Sequence, residues 1–373
     1  MIAPNKPHEA RPRPIRILFA VSAMGFGHVQ RSLPLIKRLL AEGASLTLVS
    51  DGDALVALQR ELAGQQAVQF MSFPDYPPMQ RGSGLAHYWY FFADLFDFAR
   101  RMREEKALTT RLVAETAPDM VIADGRFGFR AKGVPCFLIC HQIRQRLPPF
   151  LRPLQWLSDL FQLQLLRQYG RVLVPDFAAP DACLSGTLSH NWIARRLNPA
   201  FVGLLSAAQY EEAVRDIDLL FLTGGYLEGP KAEWQAWVAR FAQAPGARRI
   251  VSIAGGRWRD GSPPSGVESY DFVTGRERDA FMNRAKAIVA RAGYTTIMDL
   301  VALRQDAILI PTPGMTEQNY LVRRFPKTEI AGQAGCVLRY ADLPAPIRAW
   351  RLEHSLEHIL DVIGMGRSAS RPS

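Results

Sequence analysis

Gly25, Gly27, His28 and Arg31 share one short stretch, residues 21–33, reading VSAMGFGHVQRSL. Glycines straight after an apolar run permit a tight turn and close backbone approach. A helix opening behind them offers free N–H groups to a phosphate. Imidazole titrates near neutrality, so His28 can take the proton of an attacking hydroxyl, or it can simply hydrogen-bond a diphosphate. A base needs an orienting carboxylate. Asp124, which closes the apolar run DMVIAD, is the candidate; read structurally, it is a turn or cap residue before Gly125. Arg31 lies one helical turn beyond His28, placed for a phosphate or acceptor contact or else for solvent. A second glycine pair, Gly224 and Gly225, follows the run DLLFLT. Two such loops on opposite walls of a cleft suit a diphosphate. The dinucleotide pattern G-x-G-x-x-G is not met, because Gln30 holds its last place, and this favours nucleotides other than NAD.

Other chemistry-bearing residues point elsewhere. Asp51 and Asp53 form an Asp-x-Asp within SDGDAL. There they follow a strand and open a helix, so they read as helix caps and no metal site is expected. Cys136, Cys140, Cys183 and Cys336 lack paired metal spacing, and the first two fall in one apolar strand. The expectation is a reduced chain in the cytoplasm.

Elements of two kinds must position these residues. Strand-like runs (IRILFAV, ASLTLVS, VQFMSF, DMVIAD, CFLIC, GRVLVPD) alternate with helical stretches. Behind His28 one such helix sets Leu33, Ile36, Leu39 and Leu40 on one face and ends at Gly43. A second series follows the polar residues 178–198: PAFVGLL, DLLFLTGG, RRIVSIAGG, ESYDFVTG, KAIVARAG and DAILIPTP. The alternation predicts parallel sheets covered by helices, and the length predicts two α/β domains joined near residue 200. The expected division is 1–200, 201–345, a C-terminal helix over 346–364, and a disordered polar tail over 365–373. The start is Pro-rich and polar and does not read as a signal peptide, and no run is long enough to span a membrane. The net charge is +10 with no zinc-finger, basic-zipper or RNP-type pattern, which disfavours nucleic acid and suits anionic small molecules or an acidic membrane surface.

The stretch GFGHVQRSLPLIKRLLAEG resembles the first loop and helix of GT-B nucleotide-sugar glycosyltransferases, most nearly family 28, which includes the bacterial lipid-II-forming N-acetylglucosaminyltransferases. ARAGYTTIMDLVALRQDAILIPTPGMTEQNYLVRR (290–324) is similar to that family's nucleotide-binding block. The resemblance implies two Rossmann-like domains with a donor in the cleft. It implies that Gly293 and Thr295 stand by the phosphates and that Asp299 meets the ribose hydroxyls. Gln318 and Asn319 would contact the donor sugar, the backbone at Val273 the uracil edge, and Thr223, Gly224 and Gly225 the diphosphate. His141 and Gln142, after CFLIC, match an acceptor-side stretch. Asp124 matches the aspartate that partners the base histidine in plant-type sugar transferases.

These readings converge on an inverting, metal-independent transferase that moves a sugar from a UDP-sugar to a hydroxyl acceptor. A nucleotide-sugar hydrolase and a non-catalytic nucleotide-sugar-binding relative are the alternatives. Residues 87–103 and 146–171 combine aromatics and leucines with arginines and read as core helices. A sharper reading makes Phe150, Leu151, Trp156 and Phe161 an interfacial patch, with Arg144, Arg146 and Arg152 toward acidic headgroups at the inner face of the plasma membrane. That arrangement would suit a lipid-linked acceptor.

Overall fold

The computed structural model describes residues 13–77, 85–147, 149–223, 228–243, 249–253, 258, 261–271, 273–330 and 332–366. Gly224, Gly225 and most of the polar C-terminal tail lie outside the described residues.

The first sheet comprises β1 (Arg16–Val21), β2 (Ser45–Ser50), β3 (Val68–Ser72), β4 (Met120–Asp124), β5 (Cys136–Ile139), β6 (Arg171–Val174) and β7 (Ala200–Phe201). Its order is β3-β2-β1-β4-β5-β6-β7, parallel throughout. Its helices are α1 (Phe26–Ala41), α2 (Gly52–Glu61), α3 (Leu85–Thr116), α4 (Gln155–Leu166) and α5 (Trp192–Leu197). The central strands β1, β4 and β5 are buried on both faces, as near-continuous apolar runs require. On α1, Leu33, Ile36 and Leu39 are buried against that sheet, while Leu40 is half-buried at the edge of the face.

The second sheet comprises β8 (Leu219–Leu222), β9 (Ile250–Ile253), β10 (Val267–Tyr270), β11 (Ile288–Arg291), β12 (Ala307–Ile310), β13 (Lys327–Ile330) and β14 (Gln333–Leu338). The order is β10-β9-β8-β11-β12-β14-β13. Around it run α6 (Glu228–Ala242), α7 (Gly275–Arg284), α8 (Tyr294–Ala302), α9 (Thr316–Leu321) and α10 (Ala345–Arg348), followed by α11 (Leu352–Val362).

The structure departs from the sequence reading in four places. PAFVGLL does not open the second sheet: Ala200–Phe201 pairs with β6 at the edge of the first. The stretch is a crossover, with Val202 and Leu205 in the first core and Leu204 in the second. The second sheet is not wholly parallel, since β14 runs antiparallel to β12 and β13. A link of two residues can join only antiparallel neighbours. ESYDFVTG is strand only to Tyr270; Thr274 caps α7 instead, in a capping box with Glu277. The C-terminal segment forms two helices, and α11 returns to the first unit, packing Leu356, Ile359, Leu360 and Ile363 into its core.

Among the described residues, no helix is long and apolar enough to cross a membrane. On α4, Trp156 is 59% exposed and Phe161 52%, with Leu157 and Leu160 exposed beside them. Leu151 is half-buried, and the side chain of Phe150 lies outside the described residues. Two of the three arginines read as lipid-facing are engaged within the protein. Arg144 pairs with the buried Asp159 at 2.9 Å, and the Arg146 guanidinium sits 4.5 Å over the Tyr320 ring. Arg152 is exposed.

Candidate active site

The ends of β1, β2 and β5 in one sheet, and of β8, β9, β11 and β12 in the other, open onto a shared cleft of about 650 Å³. Carboxyl ends of parallel strands are where open α/β sheets bind ligands. Gly25, at φ 100°, turns the chain out of β1 and stands at the N-cap of α1. This backbone conformation favours glycine. His28 and Arg31 then project from the first turns of α1.

Asp124 at the end of β4 is fully buried behind His28. Its Oδ1 lies 2.8 Å from His28 Nδ1. Arg31 Nε donates to Oδ2 at 2.8 Å, Arg31 Nη2 also donates to Oδ1, and Ser32 Oγ donates to Oδ2 at 2.6 Å. Burial alone would raise the Asp124 carboxyl, but the charges of Arg31 and then His28 outweigh it and hold the group well below the usual carboxylate range. Gly125 has φ 70°, and a Cβ there would lie 2.6 Å from His28 Cε1. This glycine therefore gives the imidazole its seat.

Arg31 also reaches the next strand end. Its Nη1 lies 3.1 Å from His141 Nδ1, and His141 Nε2 lies 2.8 Å from Glu317 Oε1 on α9 of the other unit. The His141 ring stacks on Tyr294 at 4.3 Å and 6°, and Tyr294 Oη donates to the Pro175 carbonyl at 2.8 Å. Two glycines allow the walls to approach. A Cβ on Gly27 would lie 2.7 Å from Thr295 Oγ1, and one on Gly275 would lie 2.7 Å from Gln30 Nε2. Gly27, read in the sequence as a phosphate loop residue, thus abuts the opposite unit.

On the second unit, Gly293 is the N-cap of α8 with no side-chain cap. The first turn, including Thr295, has N–H groups without intrahelical acceptors. Thr223, Val273, Asp299 and Gln318 line the cleft with them. Gln318 Oε1 accepts from the Thr312 N–H at 2.7 Å, which leaves its amide nitrogen as a donor. Asp299 is not free: it is 2% exposed, takes a hydrogen bond from Ser206 Oγ at 2.5 Å and pairs with Arg278 at 3.0 Å.

Besides Asp124, which lies buried behind His28, two described site residues of the sequence reading are not among those lining the cleft. Asn319 follows Gln318 directly, so on α9 it points about 100° away, and its Nδ2 donates to the Met315 carbonyl at 2.9 Å. Gln142 follows His141, is half-buried, and is not among the residues that line the cavity with His141. Asp51 lies at the N-cap of α2 but makes no side-chain cap; its carboxylate accepts from Ser72 Oγ at 3.2 Å.

Several cleft residues escaped the sequence reading. Glu317 stands beside Gln318, and its neighbour's assignment was the available signal. Arg278 follows the Thr274–Glu277 capping box, a motif legible in TGRE. Arg291 ends β11, pairing with Glu233 at 3.6 Å beneath the face of Trp234. Nothing short of tertiary structure marks its place. Asp176, Cys183 and His190 bring ligand-type atoms within 4.8 Å of one another. The Asp176 oxygens accept from the Leu184 and Ser185 N–H groups, which makes the cluster a hydrogen-bonded turn.

Comparisons with known proteins agree with this architecture. Residues 261–359 match the model of the glycosyltransferase family 28 C-terminal domain. A Methanosarcina mazei protein described as an uncharacterized glycosyltransferase is 21% identical over 325 residues, covering 82% of this chain and 81% of its own length. MurG of Acinetobacter baumannii is similar in structure, with a TM-score of 0.53 at 15% identity, over 94% of this chain and 99% of its own. LpCGTa, solved in complex with UDP, has a TM-score of 0.53 at 11% identity, over 96% of both chains.

Proposed function

We propose, from the match of residues 261–359 to the glycosyltransferase family 28 C-terminal domain and from the GT-B fold, that the chain transfers a sugar from a UDP-sugar to a hydroxyl acceptor with inversion. The first unit is the acceptor-side domain and the second the donor-side domain. The observation that carries the reading is the His28–Asp124 contact at 2.8 Å at the edge of a cleft whose opposite wall is the N-terminus of α8.

The chemistry follows from hydrogen-bond roles. Arg31 can only donate, and its Nη2 has Asp124 Oδ1 as an acceptor. Nη2 also lies 2.9 Å from His28 Nδ1; with Asp124 Oδ1 taking the Nη2 hydrogen, His28 Nδ1 gives its own proton to that carboxylate in this reading, and Nε2 keeps a lone pair. Nε2 takes the acceptor hydroxyl proton as that oxygen attacks the anomeric carbon, while the carbon–phosphate oxygen bond breaks and the nucleotide diphosphate leaves. The N–H groups and dipole of α8 offset the charge gathering on the leaving group. UDP is the bound ligand of LpCGTa, which has the same fold, and this supports uridine as the nucleoside.

The acceptor is lipid-linked in this reading. Trp156, Leu157, Leu160 and Phe161 make one exposed face of α4, with Arg152 exposed near its start. Aromatic and leucine side chains beside a cation suit an anionic membrane surface.

A donor panel tests the assignment: UDP-glucose, UDP-galactose, UDP-N-acetylglucosamine, UDP-glucuronate, and dTDP- and GDP-sugars, each scored by thermal shift. A true donor at a hundredfold excess over its dissociation constant adds about 2.7 kcal/mol of stability. Release of UDP without any acceptor would make the chain a hydrolase, and binding without turnover would make it a non-catalytic relative.

A further inference from the structure

The nucleotide end of the cleft contains an arginine that the proposed reaction leaves unexplained. Arg278 lies at the end of the first turn of α7, lines the same cavity as Val273 and Thr295, and is 21% exposed. Two carboxylates hold it. Its Nη1 lies 3.0 Å from Asp299 Oδ2, and its Nη2 lies 3.0 Å from Asp279 Oδ1. The far oxygens are also engaged: Ser206 Oγ donates to Asp299 at 2.5 Å, and the Gln209 N–H donates to Asp279 at 3.1 Å.

This arrangement bears on how a nucleoside would be met. Both Asp299 oxygens already have donors, and its side chain is 3% exposed against 21% for that of Arg278. To accept a ribose diol, Asp299 would have to release Arg278 and leave that cation part-buried without one of its counter-charges. Arg278 has spare capacity instead. A guanidinium carries five N–H donors in a rigid fork. Asp299 takes one from Nη1 and Asp279 one from Nη2, so each terminal nitrogen keeps a second hydrogen. The two aspartates also compensate the charge, so the fork suits neutral acceptor oxygens better than a phosphate.

We propose that Arg278, rather than Asp299, is the residue that contacts the donor nucleoside, donating to its acceptor oxygens, and that Asp299 and Asp279 are positioning residues that fix the guanidinium plane. This rests on the reading that a uridine nucleotide occupies this end of the cleft. The acceptor oxygen is either a ribose hydroxyl or a pyrimidine carbonyl.

Calorimetric titration of UDP into the full chain tests it. Arg278→Ala weakens binding about 10- to 100-fold, the usual size for a charge-assisted contact. Arg278→Lys keeps the charge between the aspartates but loses the fork, and it weakens binding by a smaller factor even if the alanine variant folds poorly. Asp299→Asn weakens binding in the wild-type background and adds little to Arg278→Ala, because a brace has no effect once the braced group is gone. Repeating the lysine comparison with 2′-deoxyUDP and 3′-deoxyUDP separates the oxygens: the penalty disappears with the analogue that lacks the hydroxyl read, and persists with both if a base carbonyl is. Unchanged or tighter UDP binding by Arg278→Lys, with loss confined to Asp299→Asn, overturns the proposal and leaves the nucleotide site standing. A wild-type chain that binds no UDP removes the uridine-nucleotide reading and this proposal with it.

Discussion

His141 stands at the end of β5 and Glu317 on α9, and 2.8 Å separates Nε2 of the one from a carboxylate oxygen of the other. Arg31 settles the direction of that bond. Since Arg31 only donates, His141 Nδ1 accepts from it at 3.1 Å, and the imidazole proton sits on Nε2, directed at Glu317. One chain of hydrogen bonds thus runs from buried Asp124 through Arg31 and His141 to the opposite unit.

That chain predicts coupling between the two units. His141→Asn and Glu317→Gln should each lower the unfolding free energy by about 1–3 kcal/mol, and the double variant should lose less than the sum. Urea unfolding of the four-member cycle measures it, and additive losses would mean that the two residues act independently. Burial would raise the Glu317 carboxyl, yet His141 and then Arg31 hold it below its usual value. Its stabilisation is therefore present above the unfolded carboxylate value and is lost as the pH falls through the lower folded one.

His28→Ala should reduce turnover about 10²- to 10⁴-fold with UDP affinity unchanged, the signature of a lost general base. If calorimetry finds UDP affinity reduced and turnover at saturation intact, His28 is a diphosphate ligand instead. Asp124→Asn leaves Arg31 buried beside a neutral amide. It should cost stability, by about 3–5 kcal/mol, as well as activity. Denaturation measured beside kinetics separates those two losses.

The Asp279 carboxyl is pushed up to about 6, by burial first and with Asp299 adding to it, against the opposing charge of Arg278. An acid whose folded value exceeds its unfolded one binds more protons when folded. Its contribution to stability is then full below the unfolded value near 3.8 and is lost as pH rises toward about 6. Asp279→Asn removes that dependence. The variant should gain on the wild type as pH is raised from about 4 to about 6, read as the difference between their melting temperatures across that window. A difference that does not vary with pH would mean that Asp279 keeps an ordinary value.

Trp156→Ser combined with Phe161→Ser should leave the melting temperature nearly unchanged, because both side chains are more than half exposed. Co-sedimentation with vesicles containing phosphatidylglycerol should fall sharply. Equal sedimentation of variant and wild type would separate α4 from any membrane contact.

Much of the architecture was legible from local pattern. Apolar runs bounded by glycine and polar residues mark strands such as β1, β4 and β8, since a strand buried on both faces has no other way to be written. The glycine turn before His28 was legible for the same kind of reason: a residue at φ 100° is readily supplied by glycine alone. The edge hairpin β13–β14 was not legible, because its few residues carry too little periodicity to distinguish a strand from a connection; β7 was read as strand within PAFVGLL but assigned to the second series, since no local pattern says which sheet an edge strand joins.

The sequence by itself determined which residue types stand at strand ends, and so that Asp124, His141 and Gly293 would gather at carboxyl edges, with His28 at the head of the helix after β1. Each of those facts depends on a short span of neighbours. Tertiary structure alone decided what each meets. Arg31 serves Asp124 and His141 because β4 and β5 end side by side beneath α1, at sequence separations of 93 and 110 residues. Gly27 is pressed against Thr295, Asp299 is taken by Arg278, and Glu317 answers His141 across the cleft. Contacts at such separations depend on how two sheets pack, and no local window of the chain encodes that packing.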